Sequence, residues 1–211
     1  MIKRVLDWIS NYWTSSRDES KKNMKKFLVV GLGNIGSKYA NTRHNIGFKI
    51  LDHLASEEGL DFETLKLGDV ATYKYKGRSF ILLKPSTYMN LSGKAVKYWM
   101  TKEKIAIENL LIITDDINLP FGTLRIKTKG SHGGHNGLKD IQDKLNTSMY
   151  NRFRFGISDD FSKGRQVDYV LGEWGKEEEA DLPERLDKCV EVIKSFGTAG
   201  IAITMNTFNG K

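Results

Sequence analysis

The chain is poor in cysteine and proline, with one Cys and three Pro among 211 residues. A single cysteine, Cys189, excludes a disulfide framework and a thiolate metal cluster within the chain. No Pro- or Gly-rich linker divides the sequence, so one domain with one well-buried core is expected at this length. No run approaches the roughly eighteen apolar residues that a membrane span requires. These absences predict a protein of the reducing cytoplasm that does not bind membranes.

Positive charge is in excess but unevenly distributed. The formal net charge is +7; residues 1–26 carry seven Lys or Arg against three acids, a net of +4. Residues 121–165 carry nine Lys or Arg against four Asp, a net of +5. A solvated face is the ordinary explanation of such a run. A compact basic region near a polar loop nevertheless favours a phosphate-bearing partner.

The first 24 residues differ from the rest of the chain. Their apolar residues cluster at Val5–Ile9 and Tyr12–Trp13, and a polar run follows. The cluster is too short for a signal peptide, and the acids Asp7, Asp18 and Glu19 argue against a transit peptide. We therefore predict a basic extension over residues 1–24, poorly ordered or amphipathic, and a catalytic domain over residues 25–211. Met24 is an alternative start of the domain.

The sequence GLGNIG at 31–36 matches the dinucleotide-binding fingerprint, but the residues that follow it do not. In that fingerprint a helix opens at the last glycine and its N-terminus holds a pyrophosphate. Here the polar stretch SKYANTRHN intervenes, and helical periodicity begins only at Ile46. The pattern disfavours a nucleotide-dependent enzyme. It favours a surface loop that carries side chains able to do chemistry, among them Asn34, Tyr39 and His44.

Alternating strand and helix patterns predict an α/β fold. Some strands form hairpins and others are joined by crossovers, so the expected architecture is a single-domain three-layer sandwich with a mixed, twisted sheet flanked by helices. Strands are predicted at 27–31, 71–76, 80–84, 109–114, 124–128 and 152–157, and helices at 47–58, 92–104, 135–145, 176–196 and 198–205.

Three polar clusters lie near predicted strand ends, where open α/β sheets place their ligand crevice. Asp115 and Asp116 follow the apolar run NLLIIT, although Asp is also common in turns. Asn90 precedes a predicted helix, and capping that helix is its more frequent role. The segment KGSHGGHNG brings His132 and His135 into a Gly-rich turn. Two histidines without further ligands are a weak zinc signal, so a backbone that approaches a ligand closely is favoured.

His44 is the candidate general base. A lone histidine is most often structural, but this one lies in a polar loop, and other loops supply a carboxylate and several amides: Asn34, Asn90, Asp115 and Asn136. A carboxylate that fixes the imidazole tautomer makes histidine a competent base, and amides can stabilise an oxyanion. The sequence contains no nucleophile elbow, so direct attack by an activated water is the simplest hydrolysis available.

Six segments in this order closely resemble the bacterial peptidyl-tRNA hydrolase family: VVGLGNIG, YANTRHNIGF, KPSTYMNLSGKAV, DDINLPFG, GSHGGHNGLKDI and NRFRFGI. Any one of them is weak evidence, whereas six in order are highly specific. The resemblance runs from about residue 26 to 206. It implies a monomeric, metal-independent and cofactor-independent esterase that releases peptides from tRNA dropped by stalled or abortive translation.

The resemblance also implies roles for individual residues. His44 matches the catalytic base, Asp115 the acid that orients it, and Asn34 the position that tells N-blocked from free aminoacyl-tRNA. Lys127 and Arg154 fall near basic positions that grip the tRNA phosphates. The remaining matches are expected to contact substrate or line the cleft: Tyr39, Tyr88, Met89, Asn90, His135 and Asn136.

Two positions depart from the family pattern, and one alternative function stays open. Ile35 replaces a usual proline, so the loop loses a fixed φ, and Asn118 stands where Asp is frequent. We expect modest effects on order or rate from both. The alternative is a catalytically silent relative that only binds RNA, like a splicing factor; retention of His44 and Asp115 does not exclude it.

Overall fold

The computed structural model describes residues 24–211, and within this range seven strands form one mixed sheet. The predicted extension therefore lies outside the described residues, apart from Met24. The strand order is β2-β3-β4-β1-β5-β7-β6. The strands are β1 (Lys25–Gly31), β2 (Glu63–Leu65), β3 (Gly68–Tyr75), β4 (Arg78–Pro85), β5 (Leu110–Asp116), β6 (Leu124–Lys127) and β7 (Asn151–Gly156).

Helices cover both faces of this sheet, which confirms the predicted three-layer sandwich. One apolar core packs α1, α5 and α6 against one face, and a second core packs α2 and α3 against the other. Over the described residues the helices are α1 (Ile46–Glu57), α2 (Ser92–Glu103), α3 (Asn136–Leu145), α4 (Gln166–Val170), α5 (Lys176–Thr198) and α6 (Ile201–Phe208). No helix within residues 24–211 combines the length and apolarity that crossing a bilayer requires.

The four central strands β4, β1, β5 and β7 are parallel, and the outer pairs are antiparallel. Parallel strands that are covered on both faces read as continuous apolar runs, as β1 and β5 do. Their carboxyl ends lie together at one edge of the sheet. This edge carries the loops in which the candidate residues were found.

The delayed helix after GLGNIG is confirmed. After β1 the chain makes two 3₁₀ turns, at Ser37–Tyr39 and Arg43–Asn45, before α1 begins at Ile46. Two glycines serve close packing of strand on helix, since a Cβ at Gly31 would lie 2.2 Å from the Gly47 carbonyl oxygen. These glycines set the distance between β1 and α1.

Two sequence expectations about local structure were wrong, and two short elements were missed. Asp115 and Asp116 lie within β5 rather than after it, because they pair with Phe155 and Gly156 of β7. Asn90 does not cap α2: it sits in a 3₁₀ turn, Met89–Leu91, and Leu91 is the residue that precedes the helix, which begins at Ser92 as predicted. The short elements β2 and α4, of three and five residues, had no recognisable period and were not predicted.

Candidate active site

A cleft of about 440 Å³ opens at the carboxyl ends of the parallel strands. Loops after β1 and β4, the end of β5, the Gly-rich loop before α3 and helix α4 form its walls. Eleven of the predicted or discussed polar residues meet there: Asn34, His44, Tyr88, Asn90, Asp115, Asp116, Asn118, His132, His135, Asn136 and Arg154. Met89 lines the cleft as expected. The convergence of loops distant in sequence is a property of the parallel sheet.

His44 and Asp115 form a buried pair. Nδ1 of His44 lies 2.9 Å from both carboxylate oxygens of Asp115. The Asp115 side chain is 3% exposed and that of His44 is 13% exposed. Because Nδ1 donates to the carboxylate, neutral His44 presents the lone pair of Nε2. No partner of Nε2 is found among residues 24–211, and His44 lines the cleft.

Burial and charge act in opposite directions on both members of this pair. Burial lowers the pKa of His44, but the negative charge of Asp115 and its hydrogen bond outweigh burial, and the pKa lies above its ordinary value. Burial likewise raises the pKa of Asp115, yet its interactions with His44 and His135 hold it well below the usual range. Asp115 is therefore ionised at neutral pH and strengthens His44 as a base.

His135 occupies the other side of the same carboxylate. Its Nε2 lies 3.0 Å from Oδ1 of Asp115 and 2.7 Å from the hydroxyl of Thr114. Its Nδ1 accepts hydrogen bonds from the backbone N–H groups of Gly137 and Leu138, so it caps α3. The sequence placed His135 among the residues expected to contact substrate. In the structure both ring nitrogens are bonded within the protein, and the expected contact with substrate stays a prediction.

Asn34 is held in place by Asn45. The Asn45 side chain accepts a hydrogen bond from the Asn34 N–H at 2.8 Å and donates one to the Asn34 carbonyl at 2.9 Å. Oδ1 of Asn34 in turn accepts the Met89 N–H at 2.9 Å. The Nδ2 group of Asn34 thereby remains the donor available to the cleft. Asn45 was not assigned a role from sequence, although its position directly after His44 was visible.

Asn90, Asn136 and Tyr88 line the cleft with exposed side chains. Asn90 reaches this position because it does not cap α2, and Asn136 because His135 caps α3 in its place. Tyr88 is 55% exposed, an unusual environment for a large aromatic residue. Exposed amides and an aromatic ring can bind a polar chain that carries peptide groups.

The two predicted basic residues are placed differently. Arg154 on β7 lines the cleft, and its Nη2 lies 2.7 Å from Oδ2 of Asp116, which is 3% exposed. Lys127, at the end of β6, does not line the cleft and pairs across the sheet with Arg152. Tyr39 also lies outside the cleft lining, in the 3₁₀ turn after GLGNIG, beside the ammonium group of Lys38. Lys127 and Tyr39 could therefore reach only a ligand that extends beyond the cleft.

Arg43 anchors the His44 loop to the segment between α4 and α5. Its Nη2 lies 2.6 Å from Glu178, its Nη1 donates to the Glu173 carbonyl, and its guanidinium stacks on Tyr169 at 4.4 Å. The backbone N–H of Arg43 also donates to the Gly172 carbonyl. This segment follows α4. Val167 and Val170 of α4, with Leu171 directly after it, form the apolar wall of the cleft. Sequence reasoning assigned neither that wall nor the anchor.

The donor groups fit a hydrogen-bonded network better than a metal centre. The ligand atoms of His44, Asp115 and His135 lie within 4.8 Å of one another. However, neutral His135 carries its proton on Nε2, because Nδ1 accepts two backbone N–H groups. The nitrogen that faces Asp115 therefore has no lone pair for a cation. A second group at the surface, made by His53, Glu57 and Asp187, is largely exposed.

The two departures from the family pattern lie at the margin of the site. Ile35 is 39% exposed beside Asn34. Asn118 lines the cleft, and both its backbone N–H and its side chain donate to Oδ1 of Asp116. Neither side chain contacts His44 or Asp115, and the expected modest effects remain predictions.

Comparisons with known proteins decide the family. The family model for peptidyl-tRNA hydrolase matches residues 28–211. The chain belongs to the peptidyl-tRNA hydrolase family. The peptidyl-tRNA hydrolase of Bacteroides fragilis is 58% identical over 186 residues, which are 88% of this chain and 100% of that protein. That of Parabacteroides distasonis is 56% identical, with the same coverage of both chains.

A solved structure extends the likeness to three dimensions. The crystal structure of the Acinetobacter baumannii peptidyl-tRNA hydrolase superposes with a TM-score of 0.82 at 36% identity, covering 88% of this chain and 95% of that one. A peptidyl-tRNA hydrolase crystallised with N-propanol gives 0.81 at the same identity, covering 87% of this chain and 94% of that one. The resemblance inferred from six short segments is confirmed, and so is the α/β fold. Nothing in these comparisons favours the silent RNA-binding alternative.

Proposed function

We propose that this chain hydrolyses the ester bond between the peptide and the tRNA of peptidyl-tRNA, and so recycles tRNA from stalled or abortive translation. The observation that carries the proposal is the buried His44–Asp115 pair. His44, with its Nε2 unpartnered among residues 24–211, lines a cleft that also holds side-chain amides. Membership of the peptidyl-tRNA hydrolase family supports the substrate.

Water is the nucleophile in this proposal. Nε2 of His44 takes a proton from water as the oxygen attacks the ester carbonyl, and Asp115 stabilises the imidazolium that forms. A C–O bond forms and gives a tetrahedral oxyanion. As the oxyanion collapses, the bond to the ribose oxygen breaks, and the imidazolium returns its proton to that oxygen. The products are the free peptide acid and the tRNA hydroxyl end.

Side-chain amides supply the electrophilic assistance. Asn34 is rigid, since Asn45 and Met89 hold its backbone and its Oδ1, and its Nδ2 can donate to a peptide carbonyl or to the oxyanion. A donor directed at a peptide carbonyl prefers an N-acylated substrate, because free aminoacyl-tRNA has no such group. Asn90 and Asn136 provide further donors from two other loops. An ester is already activated relative to an amide, so one base with these donors suffices.

The tRNA is bound by positive charge at the edge of the cleft. Arg154 lies in the cleft and Lys127 beyond it, within the basic region of residues 121–165. Contacts to phosphates make such binding salt-dependent. We further propose that the enzyme is a cytoplasmic monomer that acts without a metal.

The test compares two substrates and three proteins. Wild type, His44→Ala and His53→Ala are incubated with N-acylaminoacyl-tRNA and with free aminoacyl-tRNA, each in the presence of a chelator. We expect wild type to release the acylated amino acid from the first substrate only. His44→Ala should lose about 10²- to 10⁴-fold in kcat/KM, the contribution of a positioned general base. His53→Ala, which removes a surface histidine, should match wild type.

Other outcomes would separate the alternatives. A wild type that binds tRNA but releases nothing would support the RNA-binding reading. Full activity of His44→Ala would remove His44 as the base while leaving the hydrolase assignment intact. Dependence on an added cation would contradict the metal-independent mechanism.

A further inference from the structure

Thr114 lies next to the catalytic carboxylate but faces His135. It is 1% exposed, directly precedes Asp115 on β5, and pairs with Arg154 of β7. Its hydroxyl oxygen is 2.7 Å from Nε2 of His135, closer than the 3.0 Å between that nitrogen and Oδ1 of Asp115. No role was assigned to this residue from sequence, because a threonine at a strand end is ordinary.

The direction of this hydrogen bond follows from the rest of the ring. Nδ1 of His135 accepts the N–H groups of Gly137 and Leu138, so the proton of neutral His135 resides on Nε2. The Thr114 hydroxyl is oriented towards the carbonyl oxygen of Asp115, at 3.3 Å. Its oxygen lone pairs are consequently directed to His135. One N–H thus has two acceptors, the neutral hydroxyl and the carboxylate.

We propose that Thr114 is a positioning residue of the proposed hydrolase: its hydroxyl oxygen accepts a hydrogen bond from the Nε2–H of His135, which weakens the bond from that N–H to Asp115 and leaves the carboxylate more fully to His44. Without that oxygen, His135 would donate to Asp115 alone. Asp115 would then stabilise protonated His44 less well, because a hydrogen bond to a carboxylate withdraws negative charge from it.

The other charged groups around His44 do not replace this effect. Arg43 is adjacent in sequence but is directed at Glu178, and Arg154 is directed at Asp116. His132 lines the same cleft, but its Nδ1 faces the N–H of Gly134. Asp115 is therefore the titratable group bonded to His44, and His135 acts on His44 through Asp115. Thr114 sets how strongly the Nε2–H of His135 is bonded to Asp115.

The experiment uses Thr114→Val, which preserves the shape of the side chain and removes the hydroxyl, and Thr114→Ser, which keeps it. For the valine variant we expect the acid limb of the pH profile of kcat/KM to move to lower pH by about 0.3 to 1 unit. A pKa shift of this size corresponds to the free energy of one ordinary hydrogen bond. We expect kcat to fall by about threefold with KM unchanged, since the altered group is the base. The serine variant should restore both values.

A matched control separates this effect from lost stability. Thr204→Val removes another fully buried hydroxyl, which bonds to Ser195 and to the Gly200 carbonyl far from the cleft. It should lower the melting temperature without moving the acid limb. An acid limb of Thr114→Val that stays in place or moves upward would overturn the proposal, as would a serine variant that behaves like valine.

Nuclear magnetic resonance provides a readout that does not depend on activity. In wild type, ¹⁵N shifts should show His135 with its proton on Nε2, and titration should give His44 a higher pKa than in Thr114→Val. A His135 protonated on Nδ1 would contradict the proposed network. If wild type proved inactive on peptidyl-tRNA, the proposed function would fail, whereas the titration of His44 would still test the role of Thr114. If Thr114→Val does not fold, Thr114→Ala replaces it in both measurements.

Discussion

Two histidine–aspartate pairs lie at helix α1, and only one of them lines the cleft. His44 precedes the helix and bonds Asp115 at 2.9 Å; His53 lies within it and bonds Asp187 at 2.7 Å. The carboxylate is 3% exposed in the first pair and 61% exposed in the second. The distance between ring nitrogen and carboxylate therefore does not distinguish the proposed catalytic pair from the surface pair. The two pairs differ in burial at the end of a parallel strand and in position beside the cleft.

The difference has a physical basis. In the buried pair, low solvent screening lets the Asp115 charge raise the pKa of His44 against the effect of burial. In the exposed pair, water screens both groups, and such surface ion pairs contribute little free energy. Asp115 also has a second partner, His135, which holds the carboxylate from the other side. The surface pair has Glu57 nearby, 3.7 Å from the same ring nitrogen of His53.

Asp115→Asn, which breaks the buried pair, should lower kcat more than the other variants described below. An amide can donate to Nδ1 of His44 and force the proton onto Nε2, which removes the lone pair that accepts the proton of water. We expect kcat to fall by about 10³-fold, within the range of general-base contributions. The matched control is Asp187→Asn, for which steady-state kinetics should show no change. Equal losses in the two variants would mean that the buried pair has no special role.

His135→Ala tests the second support of Asp115. The variant loses the bond to the carboxylate and also the cap of α3, since Nδ1 accepts two backbone N–H groups. Loss of a helix cap costs about 1 kcal/mol of unfolding free energy. We expect that destabilisation in urea titration, and a fall in kcat of about tenfold from a less well-positioned carboxylate.

His132→Ala is the control within the same Gly-rich loop. His132 accepts only the Gly134 N–H, and no bond joins it to Asp115 among the described residues. Its removal should affect the unfolding free energy and kcat less than the removal of His135. The reverse order would show that His132, rather than His135, supports the site.

The smallest effects are expected at the two basic residues, of which Arg154 lines the cleft and Lys127 lies beyond it. Arg154→Ala and Lys127→Ala should each raise KM by about two- to fivefold at low salt and leave kcat almost unchanged, because they contact phosphate rather than the ester. The plot of log K for tRNA binding against the logarithm of the salt concentration should become less steep by about one for each residue removed. Arg154→Ala should also destabilise the fold slightly, since it leaves Asp116 buried without its cation. An unchanged salt slope would remove that residue from the tRNA-binding surface.

Most elements of the fold were predictable because their signals are local. The apolar runs of β1 and β5 indicated buried parallel strands, and the Lys76–Gly77 turn joins β3 and β4 where a hairpin was expected. The delay between GLGNIG and Ile46 correctly predicted that the helix begins only after an intervening loop. The short elements β2 and α4 escaped prediction because three or five residues carry no measurable period.

The sequence alone determined the family, the sandwich architecture and the candidate pair His44 and Asp115, since motif order and hydrophobic period are written along the chain. Only the tertiary structure decided which histidine leaves Nε2 without a partner among the described residues and which is bonded on both ring nitrogens. It also decided that Asn90 leaves its expected capping position, that Asn45 holds Asn34, and that Thr114 contacts His135. These choices depend on burial and on hydrogen bonds between residues far apart in sequence, which a linear pattern cannot encode.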